Sequence, residues 1–340
     1  MIQHEITVNQ KLLDKDGRIS EPGWSRRMLQ VYDRNDIKAP VWRIKEWDYY
    51  TVNNGKQVVC LTLADMSYMG MAAISFIDLS TTEYKNVTSI IPLSFGKMGL
   101  SGNSDVSDVH FKNRRIKMDF VKKGNVRHLS CHVNNFSGKM EFQCEIQLEQ
   151  PDMDTIVIAT PWKENPRAFY YNQKISCMRA SGYAQIGSDI FTFDNEGDLG
   201  TLDWGRGVWT YDNTWYWGSG NAIVNGKPFG FNIGYGFGDT SAATENILFY
   251  DGVGHKLENV TFNIPPEDYL KPWTFSSSDG RFEMDFQPIY DRIDNTNLGL
   301  ISTLAHQVFG RYTGRAVLDD GTVLEINNLI GFAEKVRNRY

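Results

Sequence analysis

Short runs of alternating apolar and polar residues recur along the chain, as in Phe282-Glu283-Met284-Asp285-Phe286, beside largely apolar runs such as Val58-Val59-Cys60-Leu61-Thr62-Leu63. Side chains two apart share a face of a strand, so both patterns predict strands, covered on one side in the first case and on both in the second. Between them fall Asn54-Gly55, Asp251-Gly252, Asp279-Gly280 and Asp320-Gly321. Such pairs tolerate the left-handed backbone of tight hairpin turns. An all-β protein follows. One stretch departs from the pattern: Leu329, Phe332, Ala333 and Val336 are three and four apart, which predicts a short C-terminal helix over 329–339, closing the end of a barrel or sheet.

The pattern also repeats. Asn9-Gln10-Lys11 returns as Asn172-Gln173-Lys174, Trp24-Ser25-Arg26 as Trp204-Gly205-Arg206, Val41-Trp42 as Val208-Trp209, and Asn54-Gly55-Lys56 as Asn225-Gly226-Lys227. Further on, Asp65-Met66-Ser67, Asn86-Val87-Thr88 and Met118-Asp119-Phe120 return as Asp239-Thr240-Ser241, Asn259-Val260-Thr261 and Met284-Asp285-Phe286. The seven matches keep one order, with offsets between 163 and 180 residues. A tandem duplication of one β unit explains this, with a boundary near Gln150-Pro151-Asp152 and domains at 1–150 and 151–340. Each copy is long enough for a closed antiparallel barrel of about eight strands or an equivalent sandwich, and closure removes the exposed edges of so many strands. No Ser/Gly-rich linker joins the copies, so they are expected to pack together.

Composition narrows the partners. A formal charge of -6 without a Lys/Arg cluster excludes nucleic acid and an anionic membrane surface as main partners. No run of apolar residues is long enough to span a membrane and the first residues do not read as a leader, so no stable membrane insertion and a cytoplasmic protein are expected. Cys60, Cys131, Cys144 and Cys177 lack a C-x-x-C spacing and read as buried free thiols. His128 and His132 lie on an alternating segment, where residues four apart stand about 13 Å from each other. No metal site and no organic cofactor are expected.

Candidate chemistry concentrates in Leu202–Trp217, which holds four of the nine tryptophans, two carboxylates and an arginine. Rigid aromatic area with charges between the rings suits a pocket wall, here in the second copy. The first copy interrupts the equivalent stretch with residues 27–40, whereas the second has only Gly207 between its W-x-R unit and Val208-Trp209. Trp204 and Arg206 have counterparts in Trp24 and Arg26 and read as scaffold or as ligand-binding residues, scaffold first; the same holds for Gln173 and Lys174. Asp203 and Asp212 have no clear counterpart. Apolar rings beside them would raise a carboxyl pKa and make a general acid; the structural alternatives are a pair between Asp203 and Arg206 and an Asx-turn at Asp212. Strict alternation places Asp203, Gly205, Gly207, Trp209 and Tyr211 on one face, which favours Asp203 with Tyr211 as proton relay over Asp212. Trp209, Trp215 and Trp217 would hold a developing cation against their faces. His306 is a further ligand-binding candidate. His255 is expected at a solvated hairpin tip, and the glycines of Gly234–Asp239 are expected to mark close packing or a bend rather than a phosphate loop.

Phe169-Tyr-Tyr-Asn-Gln-Lys174, Asp203-Trp-Gly-Arg-Gly-Val-Trp209, Gly234-Tyr-Gly-Phe-Gly-Asp-Thr-Ser241, Lys271-Pro-Trp273 and the segment from Asp320-Gly321 to Gly331-Phe-Ala-Glu-Lys-Val336 resemble a bacterial family catalogued as a domain of unknown function. More distantly, the two-copy plan is similar to the double lipocalin-like proteins, among them carotenoid 1,2-hydratases, AttH-like proteins and lipocalin-like cyclases. The resemblance implies two tandem lipocalin-like β-barrels or barrel-like sandwiches. The expectation is a hydrophobic or partly polar small molecule in a pocket of the second barrel, hydrated or isomerised there by acid catalysis without a cofactor. A non-catalytic lipid or isoprenoid carrier and a carbohydrate-binding or carbohydrate-active protein stay open beside it.

Overall fold

Almost every regular segment is a strand, and antiparallel pairing assembles the strands into two large curled sheets. The computed structural model describes residues 3–106, 108–297 and 299–340. A 13-stranded sheet draws its strands from Gly23 to Val208, and a 9-stranded sheet draws its own from Asp212 to Arg339. The larger sheet thus takes strands from both sides of residue 150, and the chain crosses from one sheet to the other at 209–211.

Both sheets follow one plan. Strand Ile44–Asn53 starts a meander through Gln57–Asp65, Met69–Asp78 and Glu83–Pro92, and its other side pairs with Leu199–Val208, the last strand of that sheet. Strand Asp212–Val224 likewise starts a run through Lys227–Tyr235, Ile247–Tyr250 and Val253–Lys256, and its other side pairs with the last strand, Val323–Arg339. The same first-to-last pairing thus lies inside each sheet, whose edges are Glu83–Pro92 and Asp108–Lys112 in the larger and Val253–Lys256 and Val260–Asn263 in the smaller, so the sheets are curled rather than closed. Two of the repeated pairs, however, are not equivalent in space. Gln10–Lys11 forms a two-stranded ribbon outside the large sheets, whereas Gln173 and Lys174 lie within Phe169–Ile186. Trp24 sits on a three-residue strand paired with Ile156–Pro161, whereas Trp204 lies centrally on Leu199–Val208.

The expected C-terminal helix is absent. Residues 329–339 belong to strand Val323–Arg339, which pairs on one side with Asp212–Val224 and on the other with Ser302–Val317. Residues 329–334 are buried without a break. A strand covered on both faces loses its two-residue alternation, and the spacing of Leu329, Phe332, Ala333 and Val336 then mimics a helical stripe.

Three apolar cores form among the described residues. One fills the first half-barrel around Tyr50, Phe120, Leu148 and Trp204, and one fills the second around Phe231, Trp273, Phe286 and Tyr312. The third lies between the sheets and joins Tyr49, Cys60, Trp217, Phe309, Ile330 and Phe332. On strand Ile44–Asn53, Tyr50 therefore faces its own half-barrel while Tyr49 faces the other sheet. The half-barrels pack back to back. The four cysteines are buried and unbonded, although Cys131 and Cys144 stand opposite each other on neighbouring strands.

Candidate active site between the two sheets

Register decides which polar groups meet. Asp203 stands opposite Lys174 on one side and Tyr49 on the other, so all three point toward the second sheet, with Asn172 two residues along from Lys174. From the second sheet, Trp217 stands opposite Glu334, which stands opposite Gln307. Each set is in phase on its own sheet, and back-to-back packing puts the two sets in one buried layer.

Within the layer, Lys174 Nζ lies 2.8 Å from Asp203 Oδ1 and 3.8 Å from the centroid of the Trp217 ring. Asn172 Nδ2 donates to the same Asp203 oxygen at 2.6 Å. Asp203 is only 6% exposed. The Trp217 indole donates to Asn232 Oδ1 at 2.7 Å, and Asn232 Nδ2 in turn donates to the Glu245 backbone carbonyl at 2.9 Å and to Glu245 Oε2 at 3.2 Å. Across the layer, Trp215 Nε1 donates to Glu334 Oε1 at 2.7 Å, Gln307 Nε2 donates to Glu334 Oε2 at 2.9 Å, and Tyr49 OH donates to Gln307 Oε1 at 3.3 Å. Three buried polar atoms here lack a partner among the described residues: Asn172 Oδ1, Ser219 Oγ and Trp209 Nε1.

Burial dominates the electrostatics. Desolvation pushes the Glu245 carboxyl above its ordinary 4.5, and the nearby Asp203 charge adds to this, while Lys174 and the Asn232 hydrogen bond pull the other way. Desolvation also raises Glu334, opposed by the Trp215 hydrogen bond and by the charges of Arg292 and Lys174. Tyr170 and Tyr49 are pushed upward, first by burial and then by negative neighbours. Two carboxyls raised by burial therefore flank a cation already paired with a third.

Two glycines shape the floor. A Cβ on Gly205 would lie 2.0 Å from the Trp47 ring, and one on Gly207 would lie 2.5 Å from the Phe169 carbonyl and 3.2 Å from Trp209 Nε1. Their missing side chains let Trp47 and Trp209 lie across the strand, where Trp209 packs with Trp47, Trp215, Phe237 and Tyr340. In the 234–239 segment, Gly234 leaves the space in which Glu245 Oε1 sits, since a Cβ there would approach it to 2.8 Å.

The residues singled out by sequence divide into three groups. Asp203, Trp209, Trp215 and Trp217 meet in or beside the inter-sheet layer. Trp204 and Arg206 occupy the opposite face of their strand, inside the first half-barrel: the Arg206 guanidinium carbon lies 4.1 Å from the Trp204 ring centroid, and Arg206 pairs with Asp48 at 3.0 Å rather than with Asp203. Tyr211, Asp212 and His306 lie apart from both. Tyr211 is exposed and donates to the Leu300 carbonyl at 2.6 Å, Asp212 pairs with Arg337 at 3.0 Å instead of forming an Asx-turn, and His306 pairs with Asp291 at 2.7 Å while stacking on Tyr269 at 3.9 Å. His255, expected to be solvated, sits in strand Val253–Lys256 with its side chain 12% exposed against Asp319.

Lys174, Asn172, Glu245 and Glu334 escaped the sequence reading. Alternation sets Tyr170, Asn172 and Lys174 on one face, but only the register with Leu199–Val208 brings that face to Asp203, and the repeated Asn-Gln-Lys triplet marked Lys174 as scaffold first. Glu334 was hidden in the mistaken helix. Among the described residues, no group of three His, Cys, Asp or Glu side chains is placed to hold a metal ion, and no helix is long and apolar enough to cross a membrane.

The model of a family described as a domain of unknown function, DUF2804, matches residues 3–340. No curated protein is matched by the chain. Among solved structures, a Nitrosomonas europaea protein provisionally assigned as an AttH is similar with a TM-score of 0.52 at 13% identity, covering 90% of this chain and 96% of that one. Kievitone hydratase from Nectria haematococca is similar with a TM-score of 0.50 at 9% identity, covering 97% of this chain and 98% of that one. At these identities the likeness establishes the double lipocalin-like fold.

Proposed function

The chain belongs to the DUF2804 family, and from that premise we propose that it binds a hydrophobic or partly polar small molecule between its two sheets and hydrates, dehydrates or isomerises it by acid catalysis, without a cofactor. The observation that carries this reading is the buried Lys174–Asp203 pair, roofed by Trp217 and flanked by Glu245 and Glu334, whose carboxyls are biased toward the neutral acid. That the same fold is found in a hydratase supports the choice of reaction.

The roles follow from the hydrogen bonds. Glu334 has both oxygens occupied by Trp215 and Gln307, so it fixes the aromatic wall. Glu245 accepts one side-chain hydrogen bond on Oε2 and is the better proton donor. In the hydration direction, Glu245 gives its proton to one carbon of a double bond. The other carbon becomes cationic beside Asp203 Oδ2, the oxygen that neither Lys174 nor Asn172 holds. Water adds there and loses a proton to Asp203, and proton exchange with solvent restores both groups. Net change is one water added across the double bond, and the reverse course removes it. Isomerisation uses the same acid and base without water. Lys174 positions Asp203 and, with Asn172, holds one of its oxygens. Four buried free thiols fit a reducing, cytoplasmic setting.

The test begins with native mass spectrometry of the purified protein and solvent extraction of any bound molecule. An apolar adduct that gains or loses the mass of one water, about 18 Da, on incubation would support the reading. Asp203→Asn and Glu245→Gln should keep the adduct while lowering turnover by about 10²-fold or more. An adduct that never reacts makes the protein a carrier. A preparation that takes up oligosaccharides and no apolar molecule overturns the apolar site.

A further inference from the structure

On the outside of the 209–211 crossover lies an open cleft of about 480 Å³, separate from the inter-sheet layer. Segments 38–43 and 165–167 form two of its walls, and Val208, Thr210 and Tyr211 form the third. Three features are unusual together. Trp42 is 57% exposed on a rim, a large ring left in water. Lys38, Arg43 and Arg167 all line the cleft, and none of them pairs with a carboxylate among the described residues; Arg43 Nη1 donates only to the Trp209 carbonyl at 3.4 Å and Arg167 Nε to the Asp16 carbonyl at 3.2 Å. The wall carrying Trp42 and Arg43 is also held from within, because buried Lys45 donates from Nζ to the Trp42 carbonyl at 2.8 Å and to the Met66 carbonyl at 3.0 Å.

A surface ordinarily neutralises neighbouring cations with carboxylates, as Arg315 does with Glu283 at 2.7 Å and Arg337 with Asp212 at 3.0 Å. Three unpaired cations around a preformed concavity attract an anion, and two guanidinium forks match the oxygens of a carboxylate or phosphate. The exposed indole and the Tyr211 ring offer flat apolar surface beside the charges. The volume falls in the range of small-molecule clefts. From this juxtaposition we propose that the cleft is a binding site for a small organic anion with a flat, apolar body, gripped by Arg43, Arg167 and Lys38 and covered on one side by Trp42.

The test is isothermal titration of the full chain with 2-naphthoate, 2-naphthyl phosphate and uncharged 2-naphthol. Both anions should bind, more weakly as salt is raised, with 2-naphthol at least about tenfold weaker; the order of the two anions tells carboxylate from phosphate. Arg43→Gln and Arg167→Gln should each weaken naphthoate by about tenfold, and Trp42→Ala should weaken both anions. Arg315→Gln, remote from the cleft and exposed, should change nothing. Equal binding of 2-naphthol and 2-naphthoate, or an Arg167→Gln protein that binds naphthoate like the parent, would overturn the proposal; Arg167 is exposed, so that variant is not expected to disturb folding. Absence of binding at millimolar probe would overturn it as well.

Discussion

Strand Leu199–Val208 carries a buried ion pair on each face, and the two pairs are built differently. On the face toward the first half-barrel, Arg206 spends its donors completely: Nε and Nη2 on the Ser101 carbonyl, Nη1 on the Trp47 and Gly205 carbonyls, and Nη2 also on Asp48. Its charge ties three segments of backbone together. On the other face, Lys174 has one carboxylate oxygen and one ring as its partners among the described residues. Buried atoms without a partner among the described residues occur on both faces, Asn172 Oδ1 beside Lys174 and Trp204 Nε1 beside Arg206, so the contrast lies in the cations themselves. A buried cation with donors to spare is expensive to keep unless something arrives to use them.

Three changes press on that contrast. Arg206→Met should cost about 3–5 kcal/mol, since it strands the Asp48 charge and leaves the carbonyls it bridged without donors. Urea unfolding measures this, and a loss near zero would remove Arg206 from the scaffold. Replacing the other pair with apolar residues, Lys174→Met with Asp203→Leu, should leave stability unchanged or raise it by about 1–4 kcal/mol while abolishing ligand turnover. If this double variant unfolds as readily as Arg206→Met, both pairs are structural. The smallest effect concerns Glu334. Burial raises its folded pKa above the ordinary 4.5, so its contribution to stability is complete below about that pH and is lost as pH rises through the raised value. Glu334→Gln, which keeps the neutral form at every pH, should therefore gain on the parent in urea midpoint as pH rises above the ordinary 4.5 and through the raised value. A difference that does not change with pH would show that burial does not bias this carboxyl.

Much of this was legible in the chain. Alternation and Asx-Gly turns announced the strands, the ordered repeats announced two copies of one plan, and the phase of the 203–209 segment put Asp203 with Trp209 and apart from Trp204 and Arg206. Tyr211 fell outside that set because the strand ends at Val208, so the alternation that placed it no longer applies. Alternation says which side chains share a face but not what the face meets. Nothing local told that the two outer faces would close on each other, and so Glu334 and Glu245, which reach the layer from distant segments, had no signature. Burial on both sides of 329–334 even erased the alternation that would have exposed Glu334.

Back-to-back packing has an evolutionary side. In a lone half-barrel, Lys174, Asp203, Glu334 and Gln307 would stand on an outer wall, where water makes charged residues cheap and chemically dull. Doubling the unit and pressing wall against wall takes that ordinary surface and dries it. The groups on it then gain fixed neighbours, and burial lifts the Glu334 carboxyl above its ordinary range. A duplicated chain can in this way obtain a reactive interior without redesigning either of its cores.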